Sequence, residues 1–398
     1  MSVFIHRVRL RNYMSIAKCD VGLGSLNFLV GPNGSGKSNF LDSLRFIADS
    51  LNATLDAAMR DRGGVGEVRR RSTGHPTHFG IAIDFELPDA VGHYAFEIAA
   101  RRDAGFSVKR ERCEMRRHDL RDAGFDVADG VVQRFSPGPA PAAAPDRLFL
   151  AHASGAPEFR PLYEALTRMG FYNLNPDAMR ELQPASPGDL LDGDGRNIAG
   201  VLKRLASETP PWKVRIEEYL ARVVPGVLGV DYVSLGPRET IEFRQEVAGS
   251  HDPWRFYAAN MSDGTIRALG ALVAMFQNGG DPRRVPLIGF EEPEIALHPA
   301  AAGVLTDSLR DASSTTQILV TSHSTELLDD EDLDADSLLA VVSEKNETRI
   351  GPIDDIGRSL LMDRMFTAGE LVRMEQLRPA PSSGRLETGL FDFGASKA

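Results

Sequence analysis

Cysteine is scarce in this sequence: Cys19 and Cys113 are the only two. They form no C-x-x-C pair, so a zinc ribbon or a redox dithiol has no support. Two distant thiols suit a reducing compartment. Long apolar runs are missing as well. No stretch reaches the roughly 18 residues of a membrane span. The N-terminus from Met1 to Leu10 lacks the apolar core of roughly 7–15 residues that marks a signal peptide. Positive charge is in deficit, with 45 Lys and Arg against 56 Asp and Glu and a formal net charge of −11. This argues against a uniformly basic nucleic-acid wrapper and leaves room for a local basic patch. Sustained heptads and internal repeats are absent, so no long coiled coil is expected. The expectation is a cytoplasmic protein with no membrane partner.

What is present is a globular composition. Of 398 residues, 42% are hydrophobic and 25% charged, enough for a sizeable core. Residues 26–31 form a short apolar run ending at Gly31, which reads as a buried strand. From Lys37 to Asp49, Phe40, Leu41, Leu44, Ile47 and Ala48 recur at helical spacing. Residues 60–75 are rich in Arg and Gly and read as a loop. Three segments then alternate with period two: Phe79 to Phe85, Tyr94 to Ile98, and Phe106 towards Met115. They predict an antiparallel meander. Residues 136–146 are a Pro- and Ala-rich break. Helical patterns follow near 158–169 and 197–222, and strands near 228–235 and 239–247. A helix over about 265–277, a strand from Val285 to Phe290 and a strand from Gln317 to Val320 complete the pattern. The tail from Pro379 to Ala398 is rich in Pro, Ser and Gly and is expected to lack order.

Four motifs carry chemistry. Gly31-Pro32-Asn33-Gly34-Ser35-Gly36-Lys37-Ser38, followed by Asn39, fits G-x-x-x-x-G-K-S throughout. The glycines let backbone N–H groups curl around phosphate oxygens, and the helix starting near Lys37 adds its positive end. Lys37 is expected on the β- and γ-phosphates and Ser38 on Mg²⁺. The placement between strand and helix argues against an accidental glycine turn. Second, the strand Leu287-Ile-Gly-Phe-Glu291-Glu292-Pro-Glu294 ends in adjacent carboxylates. Neighbouring strand residues point to opposite sides. Glu291 is assigned to the metal and Glu292 to the general base. A solvated acidic strand end is the plainer reading, and the P-loop weighs against it. Third, Ser262-Asp263-Gly264 precedes a helix; Ser262 is an N-cap candidate and Gly264 permits close approach, giving a second phosphate surface. In isolation it is an ordinary capped helix. Fourth, His323 follows an apolar strand, where an imidazole can bond the γ-phosphate; a lone histidine is more often structural.

In this order the motifs resemble the ABC-class ATPases, and more closely their RecF/SMC-like and OLD-like bacterial branch. The opening Ile5-His-Arg-Val-Arg-Leu-Arg-Asn-Tyr13, Asp194-Gly-Arg-Asn-Ile198 and Glu291-Glu-Pro-Glu-Ile-Ala-Leu-His-Pro299 are typical of that branch. The resemblance covers about residues 1–50 and 190–370. It implies an α/β P-loop NTPase fold of the ABC/SMC-head type: a mixed, mostly parallel core sheet, an antiparallel β subdomain and a helical insert. The expected division is an N-terminal ATPase lobe over 1–135, a linker and helical insert over 136–225, a C-terminal ATPase lobe over 226–375, and a disordered tail over 376–398.

The resemblance further implies an ATPase with ATP and Mg²⁺, working as a homodimer. The P-loop of one copy and the Ser262 loop of the other sandwich each ATP, and Ala296-Leu-His-Pro299 faces the dimer. Asp263 and Thr265 depart from the transporter signature, which has glycine and glutamine there. The metal-binding glutamine has two candidates, Gln133 and Gln183. DNA and a separate effector protein, a nuclease or a toxin, are the partner classes. A basic run of Arg101, Arg102, Lys109, Arg110, Arg112, Arg116, Arg117 and Arg121 reads either as a phosphate-backbone track or as a solvated face balanced by Asp103, Glu111, Glu114 and Asp119. The balance of acids favours the solvated face. No Asn-Lys-x-Asp motif supports a GTPase, and no H-N-H pattern supports a nuclease. Two functions follow: an ATP-driven switch in DNA maintenance or anti-phage defence, or an ATP-dependent binding module that restrains an effector. Glu292 favours the switch.

Overall fold

The computed structural model describes residues 4–72, 76–101, 105–118, 121–295, 298, 301–330, 333–381 and 389–391. The chain divides into two compact units. One comprises Met1–Arg168, Asp334–Met365 and Met374–Ala398; the other comprises Met169–Leu333 and Phe366–Arg373.

The first unit is built on period-two alternation. Its seven-stranded sheet runs Ile16–Gly22, Ile5–Tyr13, His78–Leu87, Ala90–Ala100, Phe106–Arg117, Ala123–Ala128 and Val131–Ser136 in spatial order, every pair antiparallel. Phe79, Ile81, Ile83 and Phe85 project to one face and are buried. The helix Lys37–Asn52 covers that face. Its Phe46 ring lies 5.7 Å from Phe79, 6.3 Å from Phe96 and 6.0 Å from Tyr13. Burying one such ring stabilises by about 1.5–3 kcal/mol, so this contact largely sets the helix orientation. The helix is also tied electrostatically. Arg62 bonds Asp42 and Asp49, and the Tyr13 hydroxyl donates to Asp42 at 2.6 Å.

Beside this sheet, Leu26–Val30 pairs in parallel with Leu338–Glu344, which pairs antiparallel with Glu347–Pro352. Leu26–Val30 is buried on both faces from Asn27 to Val30, as a strand covered on two sides requires, and its one polar side chain, Asn27, bonds the Gly24 backbone.

Residues 60–75, read from composition as a loop, carry helix instead. Leu55–Asp61 extends into the segment and Val65–Val68 forms a single turn. Thr54 caps the first by accepting from Ala57 N at 3.0 Å, and Gly63 and Gly64, at φ 82° and 94°, separate the two. Val65 and Val68 are buried one turn apart, a signal too short for a periodicity reading. The tail also departs from expectation. Ala380 N donates to Pro352 O at 2.8 Å, and Leu390 is buried. Residues 382–388 and 392–398 lie outside the described residues.

The second unit contains three parallel strands, with Leu287–Glu291 between Gly170–Tyr172 and Gln317–Ser322. An antiparallel sheet joins Val227–Leu235, Arg238–Gln245, Gln183–Pro184 and Trp254–Tyr257. The helical pattern over 197–222 resolves into Ile198–Glu208 and Pro210–Val223. Pro210 and Pro211 start the second helix because proline, lacking an N–H, is tolerated only in a first turn. Trp212 and Tyr219 pack their rings 6.0 Å and 5.7 Å from Phe276 of the helix Asp263–Phe276. Among the described residues no helix is long and apolar enough to cross a membrane.

Candidate nucleotide site

In the first unit, the loop from Gly31 to Gly36 leaves the buried strand and enters the helix Lys37–Asn52. Gly34 has φ 75° and Gly36 has φ 105°, left-handed backbone that favours glycine. Two glycines are also demanded sterically. A Cβ on Gly31 would lie 2.0 Å from the Val341 carbonyl oxygen, and one on Gly36 would lie 2.2 Å from Thr348 Oγ1. At Gly34 nothing among the described residues stands within 4 Å of that position. The helix has no acid in its first turn, so its positive end is not neutralised locally. Lys37 is buried and its Nζ donates to the carbonyls of Gly31 at 2.7 Å and Pro32 at 3.1 Å. Ser35 is also buried, while Pro32, Asn33, Gly34 and Ser38 are exposed. This is a cradle for an anion: exposed glycine backbone, a helix N-terminus and a cation inside the loop.

The loop is braced from behind by residues that the sequence did not single out. Thr348 Oγ1 donates to the Ser35 carbonyl at 2.8 Å and lies 2.7 Å from Ser15 Oγ. Asn39 Nδ2 donates to the same Ser15 oxygen at 2.6 Å. Asn39, which follows the P-loop and is a candidate to touch the nucleotide, thus has its amide in this brace. Ser15 and Thr348 are 333 positions apart, so no local pattern announces them.

In the second unit, Glu291 ends the strand Leu287–Glu291, opposite Thr321 of Gln317–Ser322. Glu292 lies just beyond the strand at φ 47°. Its N–H donates to Thr321 O at 3.0 Å, and its carbonyl accepts from Ile295 N at 3.1 Å. The left-handed turn, rather than strand alternation, therefore aims Glu292. Such backbone in a non-glycine residue costs on the order of 1–3 kcal/mol and clusters at working sites. His323 Nδ1 lies 2.9 Å from Glu292 Oε1, so histidine and acid are brought together. The histidine is half-buried to exposed and the acid partly buried.

Glu294 is the third acid of the run, and no motif reading gave it a role. Ser322 Oγ donates to its Oε1 at 2.5 Å, while Oε2 is buried and makes no hydrogen bond among the described residues. Burial, reinforced by the Glu292 charge, raises its pKa; the Ser322 bond and His323 oppose this only in part.

Ser262 caps the helix Asp263–Phe276, its Oγ accepting from Thr265 N at 3.2 Å. Asp263 pairs with Arg180, whose guanidinium also donates to the Met261 carbonyl at 2.9 Å and 3.2 Å. The charge that departs from the transporter signature is thus met by an arginine no sequence motif marked. Gly264 lies in the first turn of this helix.

Gln183 is buried and spends both ends of its amide on the fold: it accepts from Ala199 N at 3.0 Å and donates to Met179 O at 3.2 Å. Gln133 lies exposed on the strand Val131–Ser136. Of the basic run, Lys109 pairs with Asp129 at 2.8 Å, Arg110 with Asp126 at 2.7 Å and Arg112 with Glu114 at 2.5 Å. Glu111, counted among the balancing acids, instead points inward and is fully buried. Arg102, Asp103 and Asp119 lie outside the described residues, as do Ala296, Leu297 and Pro299 of the expected dimer loop.

A strand–glycine loop–helix cradle and a parallel strand ending in paired acids define a P-loop nucleoside-triphosphatase fold. Comparison with known proteins narrows the class. The chain matches the family described as "AAA domain, putative AbiEii toxin, Type IV TA system" over residues 26–104 and 216–329. It is similar to the crystal structure of an Smc head bound to the C-winged helix domain of ScpA, at 14% identity and TM-score 0.54, over 87% of this chain and 96% of that one. It is also similar to an Smc head domain with an extended coiled coil, bound to the C-terminal domain of ScpA derived from Pyrococcus furiosus. That likeness has 12% identity and TM-score 0.53, over 91% of this chain and 99% of the other. No curated protein matches. The chain thus resembles the ABC/SMC-like AAA ATPases, and its fold is similar to that of the SMC head.

Proposed function

We propose that the protein hydrolyses ATP and uses the cycle as a dimer switch that controls an effector. The observation that carries this reading is Glu292: a carboxylate held in left-handed backbone and hydrogen-bonded to His323 at 2.9 Å. A module that only binds nucleotide has no use for a strained, oriented acid beside the metal-side carboxylate.

In this reading Lys37 leaves the Gly31 and Pro32 carbonyls for the β- and γ-phosphates, while the loop amides cradle the same groups. Ser38 and Glu291 would hold Mg²⁺, since both offer the oxygen donors that this ion takes. The ion would supply charge neutralisation to the phosphates. Glu292 accepts the proton of the attacking water. His323, bonded to Glu292 through Nδ1, fixes the carboxylate, and in its imidazolium form its Nε2–H would be left to donate to a γ-phosphate oxygen. Ser262 and Gly264, at the start of the helix Asp263–Phe276, serve the nucleotide of a second copy, so ATP closes the dimer and hydrolysis opens it. The matched family's description names a toxin–antitoxin system. That supports control of a toxin-like effector over a free-standing activity. DNA maintenance is the other setting compatible with an SMC-type head.

The test is Glu292→Gln. It keeps the side chain's shape but cannot take a proton, so turnover is expected to fall by about 10²–10⁴ while ATP binding survives. Light scattering after size exclusion should show an ATP-bound dimer accumulating. Ser262→Arg, which places a bulky cation at the expected contact, should stay monomeric with ATP. Wild-type turnover by Glu292→Gln would remove the base assignment. An ATP-dependent dimer of Ser262→Arg would remove the sandwich.

A further inference from the structure

The outer face of the seven-stranded sheet contains a feature that nucleotide chemistry does not use. Alternation puts Gly80, Ala82, Asp84 and Glu86 opposite the buried row Phe79 to Phe85. The register aligns Arg9, Ala82, Ala95 and Arg112 across four strands. That face is charged except where Gly80, Ala82 and Ala95 leave a small apolar depression. Ala82 and Ala95 are nevertheless fully buried, because Leu390 sits on them with Phe391 beside it. A Cβ on Gly80 would lie 2.4 Å from Leu390 Cδ1. Glycine inside a strand weakens it and marks close approach of another group. Here the group is a leucine from the far end of the chain.

Side chains around the depression read the backbone as well. His93 Nε2 lies 3.1 Å from the Leu390 carbonyl oxygen, and Arg9 Nη1 donates to the Gly389 carbonyl at 3.4 Å. Both residues are buried on this otherwise solvated face. The Arg110 guanidinium lies 4.7 Å from the Phe391 ring centroid and is itself held by Asp126. An apolar pocket, two donors to successive carbonyls and a cation over an aromatic ring are the parts of a peptide-recognition site.

We propose that this depression is a docking site for a short peptide with a Gly-Leu-Phe core. In this protein its own Gly389–Leu390–Phe391 fills it in cis, as a tethered latch. The flank that joins residue 381 to residue 389 is short, so the latch acts at an effective concentration of about millimolar. A three-residue contact is then populated without high intrinsic affinity. Any partner that uses the site must present the same chemistry and displace the tail. The proposal does not depend on nucleotide.

The experiment uses the full chain and a fluorescein-labelled peptide with the sequence of residues 386–394, read by fluorescence polarisation. Leu390→Asp expels the latch, so this variant is expected to bind the peptide at least tenfold more tightly than wild type. Adding Gly80→Leu fills the pocket and should abolish that binding. Because a leucine there strains the strand, Arg110→Ala on the Leu390→Asp background is the milder control, with an expected loss of about threefold. Equal peptide affinity in wild type and Leu390→Asp would overturn the latch. Retained affinity in both pocket variants would overturn the site.

Discussion

Glu111 makes the stability of the first unit depend on pH in an unusual direction. It lies in the strand Phe106–Arg117, fully buried. Its Oε1 accepts from the Tyr94 hydroxyl at 3.0 Å and from Leu150 N at 2.8 Å, and its Oε2 accepts from Phe149 N. These three bonds favour the carboxylate, but burial outweighs them and lifts the pKa from 4.5 to about 7. Between those two values the folded chain binds the proton and the unfolded chain has lost it. Folding stability from this group is therefore fully present below about pH 4.5 and is lost as the pH rises to about 7. At about 1.4 kcal/mol per pH unit, the displacement is worth on the order of 3 kcal/mol. Glu111→Gln cannot titrate. It carries a constant penalty of about 1–3 kcal/mol, because its amide N–H₂ faces a backbone donor. Urea unfolding of both chains, followed by circular dichroism from pH 5 to pH 8, isolates the effect by difference. Wild type should lose on the order of 2–3 kcal/mol relative to the variant across that range. A difference that stays flat, or one that moves in favour of wild type as pH rises, would refute the reasoning.

Arg180→Ala leaves Asp263 without its cation beside the Ser262 loop; sedimentation should show ATP-dependent dimerisation weakened about tenfold with ATP affinity intact. Asp263→Asn in the same chain should restore it, and unchanged dimerisation of Arg180→Ala would show the clamp to be idle. Gly36→Ala forces a Cβ to within 2.2 Å of Thr348 Oγ1 at φ 105°. ATP affinity by calorimetry should fall more than tenfold, since the overpacking and backbone strain together cost about 2–5 kcal/mol; wild-type affinity would mean that the loop relaxes freely.

What could be read from the sequence follows from how local each determinant is. The helix Lys37–Asn52 announces itself through Phe40, Leu41, Leu44 and Ile47, all buried at helical spacing. The meander strands announce themselves through Phe79, Ile81, Ile83 and Phe85. In both cases one face meets one core, so burial imposes a period that the chain must display. The segments that escaped have no such period. The turn Val65–Val68 buries two residues, and Pro210 splits a pattern whose two halves each keep helical spacing. The first two strands, Ile5–Tyr13 and Ile16–Gly22, join the same sheet as the meander; pairing across the intervening P-loop helix leaves no trace in either segment.

The site divides along the same line. Glycine chemistry in the P-loop is local, because the left-handed Gly34 and Gly36 answer to their own backbone and the spacing is enough to recognise them. The groups that hold the site in place are not local. Thr348 and Ser15 brace the loop, Arg180 meets Asp263, and Ser322 bonds Glu294 across strands. Each is a common polar residue whose meaning depends on a partner far away in the chain. Glu292 shows the difference at one residue. Strand alternation alone would aim it opposite to Glu291, but the strand stops at Glu291 and a left-handed turn, tied to Thr321 and followed by Pro293, sets its direction. Pro293 by itself would push Glu292 towards extended backbone, so the left-handed turn rests on the bonds that Glu292 makes with Thr321 and Ile295. With the ladder ended, that turn brings the carboxylate to the His323 imidazole rather than along the strand.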